Sequence, residues 1–141
     1  MTKRFLLAIS VFLLLGLLFV HIKVAHSSYY QAYLMYDFNA NSYIVSYDSF
    51  KDKLDDDIPN LTSTVLPIKF VKARYLVKDD SLSAAKKLLY QASKDNPYIM
   101  GPEEMLASIF LKEKNIDSAY FYSKKAFYNM PNVNPHRYTF F

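Results

Sequence analysis

Two stretches decide the fold of this chain: ARYLVKDDSLSAAKKLLYQASKDNP, residues 73–97, and ASIFLKEKNIDSAYFYSKKAFYNMP, residues 107–131. Laid over each other they agree at one offset of 34 residues. Ala73 matches Ala107, Leu76 matches Phe110 and Leu82 matches Ile116. Ala85 matches Ala119, Ala92 matches Ala126 and Pro97 matches Pro131. Small residues at fixed places let helix axes approach closely, and apolar residues at helical spacing give each helix a face to bury. A fixed period of this length signals a supersecondary unit that is repeated. Each unit reads as a helix, a short turn, a second helix and a terminating proline. The helices are expected near 66–78, 81–94, 102–113 and 116–129. Pro67 and Pro102 suit first-turn positions, where a missing N–H costs nothing. Asn96-Pro97 and Met130-Pro131 stop the second helices, because the residue before a proline is pushed out of the helical region.

The pattern Leu106-Ala107-x-x-Phe110, then Ala119, Ala126 and Pro131, resembles the tetratricopeptide repeat family. The first unit repeats it with Ala73-x-x-Leu76, then Ala85, Ala92 and Pro97. The resemblance spans about residues 64–133. It departs from the family where Lys69 and Glu103 hold the early Trp position, where Lys72 replaces Leu, and where Ser123 replaces an aromatic. It implies an all-α fold, a short solenoid of antiparallel helical hairpins, and a role in binding a protein or peptide. Residues 62–133 then form two units packed through Ala73, Leu76, Ala85, Ala92, Leu106, Ala107, Phe110, Ala119 and Ala126. Two units are fewer than such a stack usually needs. Residues 134–141, Asn-Pro-His-Arg-Tyr-Thr-Phe-Phe, read as the start of an incomplete third unit. Their aromatic residues are expected to lie beside helix 116–129 and to drive self-association.

Working towards the N-terminus, residues 27–61 form a Tyr-rich segment with an acidic end. Tyr29/Tyr33/Tyr36 and Tyr43/Tyr47/Phe50 each have a 4-then-3 spacing, which predicts helices over about 28–38 and 41–54, with Asn41 as a cap. Asp52, Asp55, Asp56 and Asp57 read as a solvated helix end before Ile58-Pro59. They lack the alternation and the turn glycine of a calcium loop.

Residues 1–26 read as a cytoplasmic tip and a transmembrane signal-anchor. Phe5 to Ile22 is almost wholly apolar, with Ser10 and His21 the exceptions. As a helix it reaches about 27 Å, just enough for a hydrocarbon core of about 30 Å. Lys3 and Arg4 precede it, and the positive-inside bias keeps them in the cytoplasm and the domain on the other side, the periplasm in a bacterial cell. The competing reading is a cleaved signal peptide with Ala25-His26-Ser27 as the cleavage site, which would leave a secreted form. The run is longer than the usual apolar core of a signal peptide, and no polar face breaks it as in a buried core helix.

Composition narrows the function. There are 2 glycines and no cysteines among 141 residues. That excludes a glycine-rich phosphate loop, a thiolate nucleophile and a disulfide framework. The net charge of +4 is dispersed and does not point to nucleic acid. His21, His26 and His136 show no metal-ligand spacing. Glu103 and Glu104 are adjacent on a helix and diverge by about 100°, so they cannot face each other as a catalytic pair. No catalytic residue, metal or cofactor is expected. The resemblance implies a concave face lined by the first helix of each unit: Phe70, Arg74 and Lys78, then Glu104, Ser108 and Lys112. The cations there suit acidic side chains or a C-terminal carboxylate. An ordinary solvated helix face is the competing reading. The expected function is a membrane-anchored interaction scaffold. The alternative is a truncated or accessory part of a larger membrane-bound enzyme or assembly carrying such a domain.

Overall fold

The computed structural model describes residues 3–133. The expected third unit, residues 134–141, and the self-association assigned to it lie outside the described residues. The described chain is all-helical, with an isolated antiparallel bridge between Leu61 and Pro67 and no strand. Its helices are α1 Lys3–Asn39, α2 Tyr47–Phe50, α3 Ile68–Lys78, α4 Leu82–Asp95, α5 Gly101–Lys112 and α6 Ile116–Asn129. The last four lie within about two residues of the expected bounds.

Helices α3 to α6 pack in chain order, each against the next. Ala73, Ala85, Ala92, Ala107, Ala119 and Ala126 are buried, together with Leu76, Leu106 and Phe110. The two three-residue links repeat each other bond for bond. The Ser81 N–H donates to the Leu76 carbonyl at 2.8 Å, and 34 residues on Asn115 donates to Phe110 at 2.9 Å. Asp79 and Glu113 donate to Tyr75 and Ile109, and Asp80 and Lys114 to Val77 and Leu111. Asp80 and Lys114, again 34 apart, take φ of 55° and 60°. That is the left-handed residue which closes a helix C-terminus, and it frees the next N–H for the sixth-to-first bond. Asn115 accepts from the Ser118 N–H at 3.1 Å and caps α6. Leu82 packs against the core, but its counterpart Ile116 is exposed, contrary to a shared core face. Helix α5 follows α4 and packs against it, but no described helix follows α6 to cover Ile116.

The N-terminal half departs from expectation. A separate helix over 28–38 is not seen. Helix α1 runs unbroken for 37 residues, about 55 Å, out of the apolar run and into the domain. Nothing in Lys23-Val24-Ala25-His26-Ser27-Ser28 breaks a helix. Its first two-thirds are exposed, and the segment is long and apolar enough to cross a membrane. The Ser10 hydroxyl donates to the Leu6 carbonyl at 3.0 Å, and His21 Nδ1 lies 2.8 Å from that of Leu17. The two polar residues of the run thus use carbonyls of their own helix. Its last third buries Ser27, Gln31, Leu34, Asp37 and Phe38 against the domain.

The helix expected over 41–54 is reduced to the single turn of α2. Asn41 does not cap it. At φ 52° Asn41 closes α1 instead, its N–H donating to the Phe38 carbonyl at 3.1 Å. The Asp37 carboxylate then takes the Ile44 and Val45 N–H groups at 3.0 and 3.3 Å, holding that stretch out of a helix. The spacing of Tyr43, Tyr47 and Phe50 reflects an aromatic cluster built on Tyr75 and Phe50. Tyr43 and Phe50 meet Tyr75 edge-on at 5.1 and 4.9 Å, and Tyr47 meets Phe50.

Candidate binding site

Helices α3 and α5 are the first helices of the two repeated stretches, and an open cleft of about 290 Å³ lies between them. Arg74 and Val77 line it from α3. Glu104, Met105, Ser108, Ile109 and Lys112 line it from α5. Val77, Met105 and Ile109 give an apolar floor. Arg74 and Lys112 bring positive charge, Glu104 negative charge and Ser108 a hydroxyl. Such a cleft accepts an extended or helical segment with one apolar anchor and flanking polar groups.

Four of the six residues expected on this face, Arg74, Glu104, Ser108 and Lys112, therefore meet around one opening. The other two do not. Phe70 is buried, its ring edge-on to Phe38 at 6.3 Å. A Cβ added at Gly101 would lie 2.8 Å from that ring, so Phe70 seals the start of α5 against α3. Lys78 turns towards the end of α1. Its Nζ donates to the carbonyls of Ser42, at 3.3 Å, and Tyr43.

Arg74 is also committed in part. Its guanidinium donates to Asn41 Oδ1 at 3.0 Å and sits 4.8 Å over the Phe38 ring and 5.4 Å from that of Tyr43. Stacking of this kind fixes the planar group and leaves its other N–H groups to turn towards the cleft. The 38–43 turn thus holds Arg74 in place at the edge of the cleft, a role the tyrosine spacing did not reveal. The apolar floor was more legible. Met105, Ile109 and Lys112 stand at i, i+4 and i+7 on α5, one stripe of that helix.

Behind the cleft the joint is ordered by one buried carboxylate. Asp37 accepts from the Tyr75 hydroxyl at 2.9 Å as well as from the two N–H groups above. Burial works against its ionisation, but the bonds from Ile44, Tyr75 and Val45 and the field of Lys78 outweigh that. Its carboxyl is held below the ordinary range. Burial, then the bond to Asp37, pushes the Tyr75 phenol well above its ordinary value.

The residues that depart from the family pattern are all buried or half-buried and all partnered. Lys72 Nζ donates to the carbonyls of Lys51 at 2.6 Å and Leu54 at 2.7 Å, and pairs with Asp56 at 2.5 Å. Lys69 Nζ donates to the Asp56 carbonyl and to Asp95 Oδ2, both at 2.9 Å. Glu103 Oε1 accepts from Ser93 at 2.5 Å and from Lys125 at 2.9 Å. The Ser123 hydroxyl donates to the Tyr120 carbonyl at 3.1 Å. The acidic stretch is correspondingly not a solvated helix end. Asp56 is held by Lys72, and Asp55 pairs with Lys23 at the foot of the apolar run. That bond, with those from the Asp57 and Ile58 N–H groups, lowers the Asp55 carboxyl to about 2 although burial opposes it. Among the described residues no group of three or more His, Cys, Asp or Glu side chains is placed to hold a metal ion.

Comparison with protein-family models, with curated proteins and with solved structures finds no match to this chain.

Proposed function

We propose that this chain is a membrane-anchored scaffold of the tetratricopeptide-repeat kind, which binds a protein or peptide in the cleft between α3 and α5. It works as a binding module, not as an enzyme. The observation that carries the reading is the grouping of Arg74, Glu104, Ser108 and Lys112 around the apolar floor of Val77, Met105 and Ile109. Support for a repeat comes from the matching links after α3 and α5 and the matching buried alanines. Support for an uncleaved anchor comes from α1. A cut after Ser27 would fall inside a continuous helix, next to a buried residue, and would remove the Lys23 partner of Asp55. On this reading residues 5–22 span the membrane, the N-terminus is cytoplasmic, and the domain stands on the far side.

The test places a photoreactive amino acid at Lys112, on the cleft, or at Lys87, exposed on α4, in the full chain in its native membrane. The expected result is an adduct with another protein from position 112, none from 87, and loss of the adduct when Arg74→Glu puts a negative charge in place of the cleft's guanidinium. Equal adducts from both positions, or none from 112, would overturn the proposal.

A further inference from the structure

We infer that the free face of α1 is the contact between two copies of this chain, side by side in one membrane. The inference rests on the anchor reading above. Successive residues of a helix turn by about 100°. Ser27, Gln31, Leu34 and Phe38 therefore mark one side of α1, and all four are buried against the domain. About half a turn away stand Tyr29, Tyr33 and Tyr36, which are 74%, 67% and 83% exposed. Their 4-then-3 spacing makes one stripe along the helix. The stripe continues down the apolar run through Ile22, Leu18, Leu15 and Val11, all exposed. The domain lies on the opposite side and leaves the whole line open.

Lipid does not account for the upper part of this stripe. At about 1.5 Å per residue, Tyr33 and Tyr36 stand about 16 and 21 Å beyond Ile22 along the axis. The headgroup layer extends only about 5–7 Å beyond the hydrocarbon core on each side. Lys23, held by Asp55 of the domain, fixes where the helix leaves the lipid. Tyr33 and Tyr36 are thus large, mostly uncovered rings in water on a helix that emerges rigidly from the bilayer.

A second copy is the occupant that fits both halves of the stripe. Every copy is inserted in the same direction, so a parallel partner presents the same rings at the same height. The 3-and-4 spacing is that of a two-helix seam. The three rings supply roughly 450 Å² per protomer, about 900 Å² for the pair. A specific interface begins near about 1,000 Å². The apolar residues continuing the stripe through the bilayer supply the remainder, where packing rather than water exclusion holds helices together.

The sequence contains no cysteine, so single-cysteine variants of the full chain report the contact directly. Tyr33→Cys and Tyr36→Cys would be oxidised in native membranes beside two controls, Ser28→Cys on the flank of α1 and Lys87→Cys on α4. The expected result is disulfide-linked dimer at 33 and 36, at least fivefold above both controls. No enrichment over the controls, in a chain that resists extraction by alkaline carbonate, would overturn the interface and leave the anchor standing. The same holds if the two cysteines are shielded from a membrane-impermeant maleimide without cross-linking, which would give the face to lipid. Release of the chain by carbonate would overturn the anchor reading, and this interface with it.

Discussion

The two halves of the domain are held together in different ways. Between α3 and α6, alanines let successive helices lie close, and the contact is mainly apolar packing, with the ion pairs Lys69–Asp95, Lys86–Glu113 and Glu103–Lys125 set along it. Between α1 and α3 the helices are bridged by long side chains. Phe38 meets Phe70, Tyr75 reaches Asp37, and Lys69 and Lys72 span to the 51–57 loop. The first kind of contact depends on the absence of side-chain volume. The second depends on a few directional bonds that converge on the buried side chains of Asp37, Lys69 and Lys72. At its alanine contacts the array should therefore suffer most from added bulk, and the joint should suffer most from the loss of a bond.

The largest effect should come from Lys72. Its ammonium is the shared partner of two carbonyls and of Asp56, and the residue is buried. Removing one member of such a set leaves the others desolvated, at a cost of about 3 kcal/mol or more. Lys72→Ala should lower the free energy of unfolding, measured by chemical denaturation, by that amount and should expose the 51–57 loop to proteolysis before α4–α6. Lys72→Met keeps the packing of the aliphatic stem and should lose nearly as much. If the methionine variant were as stable as the parent, the bonds would be idle and the stem's packing would carry the contact.

In the array the corresponding experiment adds volume. Ala126 has no exposed surface, and its counterpart Ala92 is equally buried one unit earlier. Ala126→Phe forces the α5 and α6 axes apart and should cost about 1–3 kcal/mol. Its effect should be independent of ionic strength, in contrast to the loss at the ionic joint. An unchanged melting temperature would show that this end of α6 is not held by close approach to α5.

The same contrast explains what could be read from the sequence. Alanine-mediated packing repeats with the chain, because each unit presents the same steric problem. The 34-residue offset therefore exposed α3–α6 to within a turn, and the resemblance to a repeat family set Arg74, Glu104, Ser108 and Lys112 on one side. The polar pairings do not repeat partner for partner. Lys69, Lys72 and Glu103 looked like departures from a pattern, since their partners Asp56, Asp95 and Ser93 lie 10–26 residues away in no regular spacing. The tyrosines misled for a related reason. Their 4-then-3 spacing marks a true helix face in Tyr29, Tyr33 and Tyr36. In Tyr43, Tyr47 and Phe50 it marks a cluster of rings, Tyr43 and Phe50 on Tyr75 and Tyr47 on Phe50. Periodicity alone does not separate a helix that presents side chains from a loop wrapped around one.

Acid should separate the two halves by the smallest but most specific effect. Asp37 and Asp55 both lie in the joint, and both carboxyls are lowered from the ordinary value of 3.8, Asp55 to about 2. A carboxyl that is more acidic when folded contributes its full stabilisation above the unfolded value. It loses that contribution as pH falls through the folded value, because the proton then binds the unfolded chain more readily. The window therefore opens just below pH 4 and closes near pH 2 for Asp55. The Lys23–Asp55 pair is partly exposed, so solvent screening holds its share to about 1 kcal/mol or less. Protonating Asp37 releases the acceptor of the Ile44 and Val45 N–H groups. Their hydrogen-exchange protection factors should fall in this window, while amides in the middle of α4 and α6 keep theirs. Simultaneous loss in all four places would mean that joint and array unfold as one unit, and the division drawn between them would fail.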